Sequence, residues 1–168
     1  QTYNAQRMQA FIEGRMTLGE LEGIDKKQQY ELANIGHHAL QEGKLDRAFT
    51  VFGGLVALDP YDAYFRLGLG TVFHLQEEHE KAETQYSESI RYNPFLAAAF
   101  AQRGELRVMQ GMLHEGAVDL LKAVELDPGG QQPTTLRARA TLQVLKDQIG
   151  SMSPEELERL AKESTESR

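Results

Sequence analysis

Proline recurs at Pro60, Pro94 and Pro128, at intervals of 34 residues, and other columns keep the same spacing. Each proline follows Asp59, Asn93 or Asp127, and each of those follows Leu58, Tyr92 or Leu126. Small residues repeat in the same register: Gly36, Gly70 and Gly104, then Ala48, Ala82 and Gly116. A chain with this period must fold as similar units placed side by side, because one such unit cannot bury its own apolar face.

The residue types say what each unit is. Apolar residues return at helical spacing, which predicts antiparallel helix pairs over 29–42 and 46–58, 63–76 and 80–92, and 97–110 and 114–126. The glycine columns let the first helix of a pair approach the second, with Ala48, Ala82 and Gly116 small on the opposite side. Leu32, Ile35, Phe52 and Leu55 are expected to fill the first pair, and Leu69, Phe73 and Tyr86 the second. Proline lacks an N–H and pushes the preceding residue out of helical geometry, so it ends each second helix on schedule.

These columns resemble the tetratricopeptide repeat. The first unit matches at Leu32, Ile35, Gly36, Ala39, Ala48, Phe52, Leu55 and Pro60. The second carries Arg66 and Ser89 at marked positions, and the third carries Arg103 and Arg107 where apolar residues are usual. Either those arginines pair with acids such as Asp119 or Glu125, or the third unit packs in a shifted way. The fold class that follows is all-α: a right-handed superhelix of three repeats (29–62, 63–96, 97–130) with an N-terminal helix and a C-terminal capping helix. A stack cannot end on an open apolar face. The segment 131–150, with Leu136, Ala140, Leu142, Val144 and Leu145, reads as the closing helix, and 151–168 as a polar, mobile tail. Ser153-Pro154-Glu155-Glu156 within it has the order of a helix start.

Residues 1–28 lie outside the period. Met8, Phe11, Ile12 and Met16 share one helical face, which either packs back on the first repeat or meets a second copy. Thr17-x-x-Glu20 and Asp25-x-x-Gln28 read as capping boxes, with Gly23 ending the short turn between them.

A narrower resemblance covers roughly residues 8–149. Glu13–Ile24 is similar to the segment that precedes three repeats in the class II chaperones of bacterial type III secretion. Leu40–Ala48 and Leu58–Leu69 are similar to that family's helix turn and second-repeat entry. The resemblance implies a bacterial cytoplasmic chaperone of hydrophobic translocator proteins. It also implies self-association through the N-terminal helices, and an extended segment held in the concave groove. The alternative is a general scaffold module in another bacterial assembly.

In this register the first helix of each pair lines the groove, through Tyr30, Ala33, Asn34, His37 and Leu40, then Tyr64, Leu67, Gly68, Thr71 and His74. In the third repeat the positions are Ala98, Ala101, Gln102, Glu105 and Val108. This mixed, weakly charged surface suits an extended apolar peptide. Residues common on the family's first groove helix are replaced by Ala33, His37 and Leu40. The tetratricopeptide proteins that clamp a C-terminal carboxylate use a cationic fork, and Ala33, His37, Gly68, Ala98 and Gln102 supply none.

Other classes fare worse. The formal net charge of −7 repels a phosphate backbone, and Lys26-Lys27, the one adjacent basic pair, reads as helix-end decoration. There is no cysteine, so no disulfide framework and no thiolate metal site. His37, His38, His74, His79 and His114 have no acidic partners at ligand spacing, so no metal is expected. Gly68-x-Gly70 and Gly129-Gly130 lack the lysine and hydroxyl of a phosphate loop. No catalytic constellation, cofactor, export leader or membrane insertion is expected; the expected partners are protein.

Overall fold

The structure is a computed structural model, described over residues 4–151, so the start Ser153-Pro154 and the tail lie outside the described residues. Among the described residues every regular element is a helix. They are α1 (Ala5–Ile12), α2 (Leu18–Glu22), α3 (Lys26–Gln41), α4 (Leu45–Leu58), α5 (Ala63–Leu75), α6 (His79–Tyr92), α7 (Ala97–Met109), α8 (Leu113–Leu126) and α9 (Pro133–Ser151). The chain divides into two compact units, 1–94 with α1–α6 and 95–168 with α7–α9.

In the first unit α3 pairs with α4 and α5 with α6, while α4 packs on α5 and α3 touches α5. Close approach follows from the glycine column. A Cβ at Gly36 would lie 2.7 Å from Cε2 of Phe52, and one at Gly70 would lie 2.7 Å from Cδ1 of Tyr86. In the second unit a Cβ at Gly104 would lie 2.8 Å from Cγ of Leu120. Phe52, Tyr86 and Leu120 are themselves 34 residues apart, and all three are fully buried. Each repeat is thus one glycine facing one large side chain.

Asp59 and Asn93 cap α4 and α6 in an extended conformation, with φ of −142° and −140°, as residues before proline must. Asp62 then opens α5, its Oδ1 accepting from the N–H groups of Tyr64 and Phe65. Both expected capping boxes form, at Thr17–Glu20 and Asp25–Gln28, and Gly23 closes α2 with φ +77°.

The departures from the repeat pattern have local causes. Arg66 donates from Nε to the Pro60 carbonyl (2.9 Å) and from Nη1 to Gln85 (3.1 Å). Ser89 is fully buried and donates to the carbonyl of Ala63 at 2.7 Å. Arg103 and Arg107 both reach Asp119, at 2.8 and 2.9 Å, so an ionic link between α7 and α8 holds the third pair. Pairing with Asp119 is the outcome here; Glu125 instead bonds Lys122. Leu32 and Ile35 differ from expectation: they are 39% and 42% exposed and do not fill the first pair. Phe52 and Leu55 fill it with Ala33, Ala39 and Ala48.

In the second unit α9 packs on both α7 and α8 through Ala138, Leu142 and Leu145. Leu136, Ala140 and Val144 turn outward. No helix among the described residues is long and apolar enough to cross a membrane.

Candidate functional site

The first unit presents a face made by α3 and α5. Four α3 residues expected to line a groove sit about one turn apart, and three of them reach the surface. Tyr30 and Asn34 are exposed, His37 is half-buried and Ala33 is fully buried between them. From α5 come half-buried Tyr64, Thr71 and His74, whereas Leu67 and Gly68 lie in the floor. Leu40 is packed against the core. Ala33, Leu67 and Gly68 therefore set the depth of this face, and the surface a guest would meet is Tyr30, Asn34, His37, Tyr64 and Thr71.

These side chains form one aromatic sheet of contacts. Tyr30 and Tyr64 have ring centroids 5.8 Å apart, His37 and Tyr64 5.2 Å, and His37 meets Phe52 edge-on at 5.1 Å. Burial, and then the neighbouring His38 charge, hold the His37 pKa below the ordinary histidine value. Its Nε2 is sealed from solvent without a hydrogen-bond partner. Burial, followed by the charge of Asp62, raises the Tyr64 phenol. The Thr71 hydroxyl donates to the Leu67 carbonyl at 3.0 Å, leaving its methyl for contact. His74 pairs through Nδ1 with the Tyr86 hydroxyl at 3.2 Å. The face offers apolar edges plus the amide of Asn34, which suits uncharged, extended chain.

Its rim is built by residues that sequence reasoning passed over. Lys26 is not helix-end decoration: its ammonium bonds Asp59 at 2.5 Å and Asp62 at 2.8 Å, and lies 5.2 Å from the centre of the Phe65 ring. Burial alone would lower the Lys26 pKa, but these two carboxylates outweigh it and raise it. The Tyr30 hydroxyl donates to the same Asp62 at 3.0 Å. Lys27, by contrast, is exposed and only 4.0 Å from Glu31. The recurrence of Asp59, Asn93 and Asp127 before proline pointed to a helix end but not to a cation 33 residues earlier.

In the second unit α7 carries Ala98, Gln102, Glu105 and Val108, all half-buried, and Ala101, fully buried. Arg137 of α9 bonds Glu105 at 3.2 Å. Among the described residues no group of three metal-ligating side chains comes together.

At the other end of the first unit, α1 packs against α2, and the Arg7 guanidinium donates to the Glu20 carbonyl. Met8 and Met16 are half-buried; Phe11 is 36% and Ile12 70% exposed.

No family model matches the chain. Low calcium response locus protein H of Yersinia pestis is 32% identical over 106 residues, covering 59% of this chain and 63% of the relative. The match thus spans less than two thirds of that relative's length. Among solved structures, the type III secretion chaperone SycD of Yersinia enterocolitica, in complex with a peptide of the translocator YopD, superposes with a TM-score of 0.64. It is 25% identical over 75% of this chain and 98% of SycD. This chain has the tetratricopeptide-repeat fold and resembles the translocator chaperones of type III secretion. A second SycD structure, an alternative dimer, gives 0.68 at 26% identity, over 77% of this chain and 98% of that one. PcrH, bound to the chaperone-binding region of PopD, gives 0.65 at 26%, over 76% and 97%. The resemblance to these chaperones bears out the all-α repeat fold.

Proposed function

We propose that this protein is a bacterial cytoplasmic chaperone that binds translocator proteins of a type III secretion system through an extended segment lying on the first helices of its repeats. The observation that carries the reading is the α3–α5 face: an aromatic and amide surface with its charges already paired at the rim, on a fold shared with two chaperones solved with translocator segments. Tyr30, Asn34, His37, Tyr64 and Thr71 make the contacts, over a floor of Ala33 and Leu67. Ala98 and Gln102 offer the same kind of surface on α7. His74, tied to Tyr86, supports the face from behind. The protein acts by covering apolar chain before export and performs no chemistry. It works as a homodimer, with Met8, Phe11, Ile12 and Met16 of α1 in the contact.

Isothermal titration with the chaperone-binding segment of a translocator encoded beside this protein tests the proposal. Saturable binding at one segment per chain is expected, weakened at least tenfold by Thr71→Arg at unchanged helicity. Absence of binding, or equal binding by the variant, contradicts it.

A further inference from the structure

One column of the 34-residue register is polar in every repeat: His37, Thr71 and Glu105. Two of the three are satisfied within their own unit. The Thr71 hydroxyl donates to the Leu67 carbonyl, and Glu105 accepts from Arg137 through both oxygens, at 3.2 and 3.4 Å. At His37 the Nε2 atom is enclosed without a hydrogen-bond partner among the described residues. The ring stands edge-on to Phe52 of α4 and tilted against Tyr64 of α5, so aromatic contacts hold it on two sides.

Such a slot suits one protonation state. A neutral imidazole carries a single N–H, whereas an imidazolium carries two and needs an acceptor or water for each. The enclosed Nε2 has neither. Of the helices packed on α3, α4 brings Phe52, which does not titrate, and α5 brings Tyr64, whose phenol burial keeps neutral. On α3 itself the neighbour is the exposed His38, which opposes a second positive charge beside it. The Asp62 carboxylate at the rim is engaged by Lys26 and Tyr30.

We propose that His37 ties client binding to pH: a segment lies on the α3–α5 face while His37 is neutral, and protonation releases it by driving the ring out of its slot. This rests on the groove binding proposed above and adds its regulation. A client lying over the half-buried His37 takes the ring further from water, which raises the cost of its charged form. Binding and protonation therefore oppose each other, and acid weakens the complex.

Isothermal titration of the full chain with the translocator segment, near neutral pH and at about pH 5, tests this through the ratio of the two dissociation constants. The wild type is expected to bind about threefold weaker, or more, at the acid pH. His37→Phe keeps a ring between Phe52 and Tyr64 but cannot titrate, so its ratio should fall to unity whatever its absolute affinity. Where that variant fails to fold, imidazole NMR of the wild type decides: His37 should titrate at lower pH with the segment bound than without it. Three results overturn the proposal: equal wild-type affinity at both pH values, an unchanged ratio in folded His37→Phe, or a His37 titration that binding leaves in place or moves up. Groove binding survives each of them. No binding near neutral pH removes the groove reading, and this regulation with it.

Discussion

The ring of Phe52 fills the space that a side chain at Gly68 would need: a Cβ built there falls inside the contact distance of three ring carbons. Phe52 comes from α4 and Gly68 from α5, and the same ring also closes on Gly36 of α3. One buried aromatic therefore sets how near three helices lie, and with it the depth of the α3–α5 face.

Gly68→Ala should destabilise the protein by about 1–3 kcal/mol, although alanine is the better helix former, because Phe52 is fully enclosed and cannot yield. Gly53, in α4, has nothing within 4 Å of its Cβ position. Gly53→Ala should stabilise by about 0.5–1 kcal/mol. Urea unfolding of the two variants checks both signs; a stabilising Gly68→Ala would contradict the packing described.

Asp119 holds Arg103 and Arg107 with all three side chains largely enclosed, at 5%, 15% and 20% exposure. Asp119→Ala removes that carboxylate from both guanidiniums and should cost on the order of 3 kcal/mol. Thermal unfolding at neutral pH measures it. A change below about 1 kcal/mol would mean that the α7–α8 link matters little.

His37 supplies a pH dependence. Its pKa is lowered in the folded state from 6.5, so between the folded value and 6.5 the unfolded chain binds more protons. Its contribution to stability is complete above pH 6.5 and is lost as pH falls from there through the depressed folded value. His37→Gln should therefore flatten the acid limb of a Tm-against-pH profile relative to wild type. Parallel profiles would count against the shift.

Asp62 caps α5 with one oxygen and binds Lys26 and Tyr30 with the other. Asp62→Asn keeps the cap and removes the charge, whereas Asp62→Ala loses the cap as well and should cost about 1 kcal/mol more. Denaturation of the pair in low and high salt separates the two roles: only the charge-dependent part should fade with salt.

The period of 34 made the helix pairs legible, because glycine, alanine and proline columns act through the backbone, where residue type and geometry are tightly bound. Caps at Thr17 and Asp25 were legible from their spacing to Glu20 and Gln28; the Asp62 cap was not read. Side-chain exposure was less so. Ala33 and Leu67 lie on the expected helix face but beneath its surface, since neighbouring Tyr30 and Tyr64 are large enough to cover small or inward neighbours. Leu32 and Ile35 matched the repeat pattern, yet burial there depends on what precedes the repeat, not on the repeat itself. The Lys26–Asp59–Asp62 rim joins residues more than 30 positions apart, and a single sequence carries no mark of that pairing.

The central claim is that a client segment lies along α3 and α5. Backbone amide NMR shifts of the labelled protein, titrated with a translocator chaperone-binding peptide, test it most directly. The largest changes are predicted at Asn34, His37, Tyr64 and Thr71, with Thr50 and Ser87 on the outer helices nearly still. Changes centred on α4 and α6, with the α3–α5 amides unmoved, would contradict it.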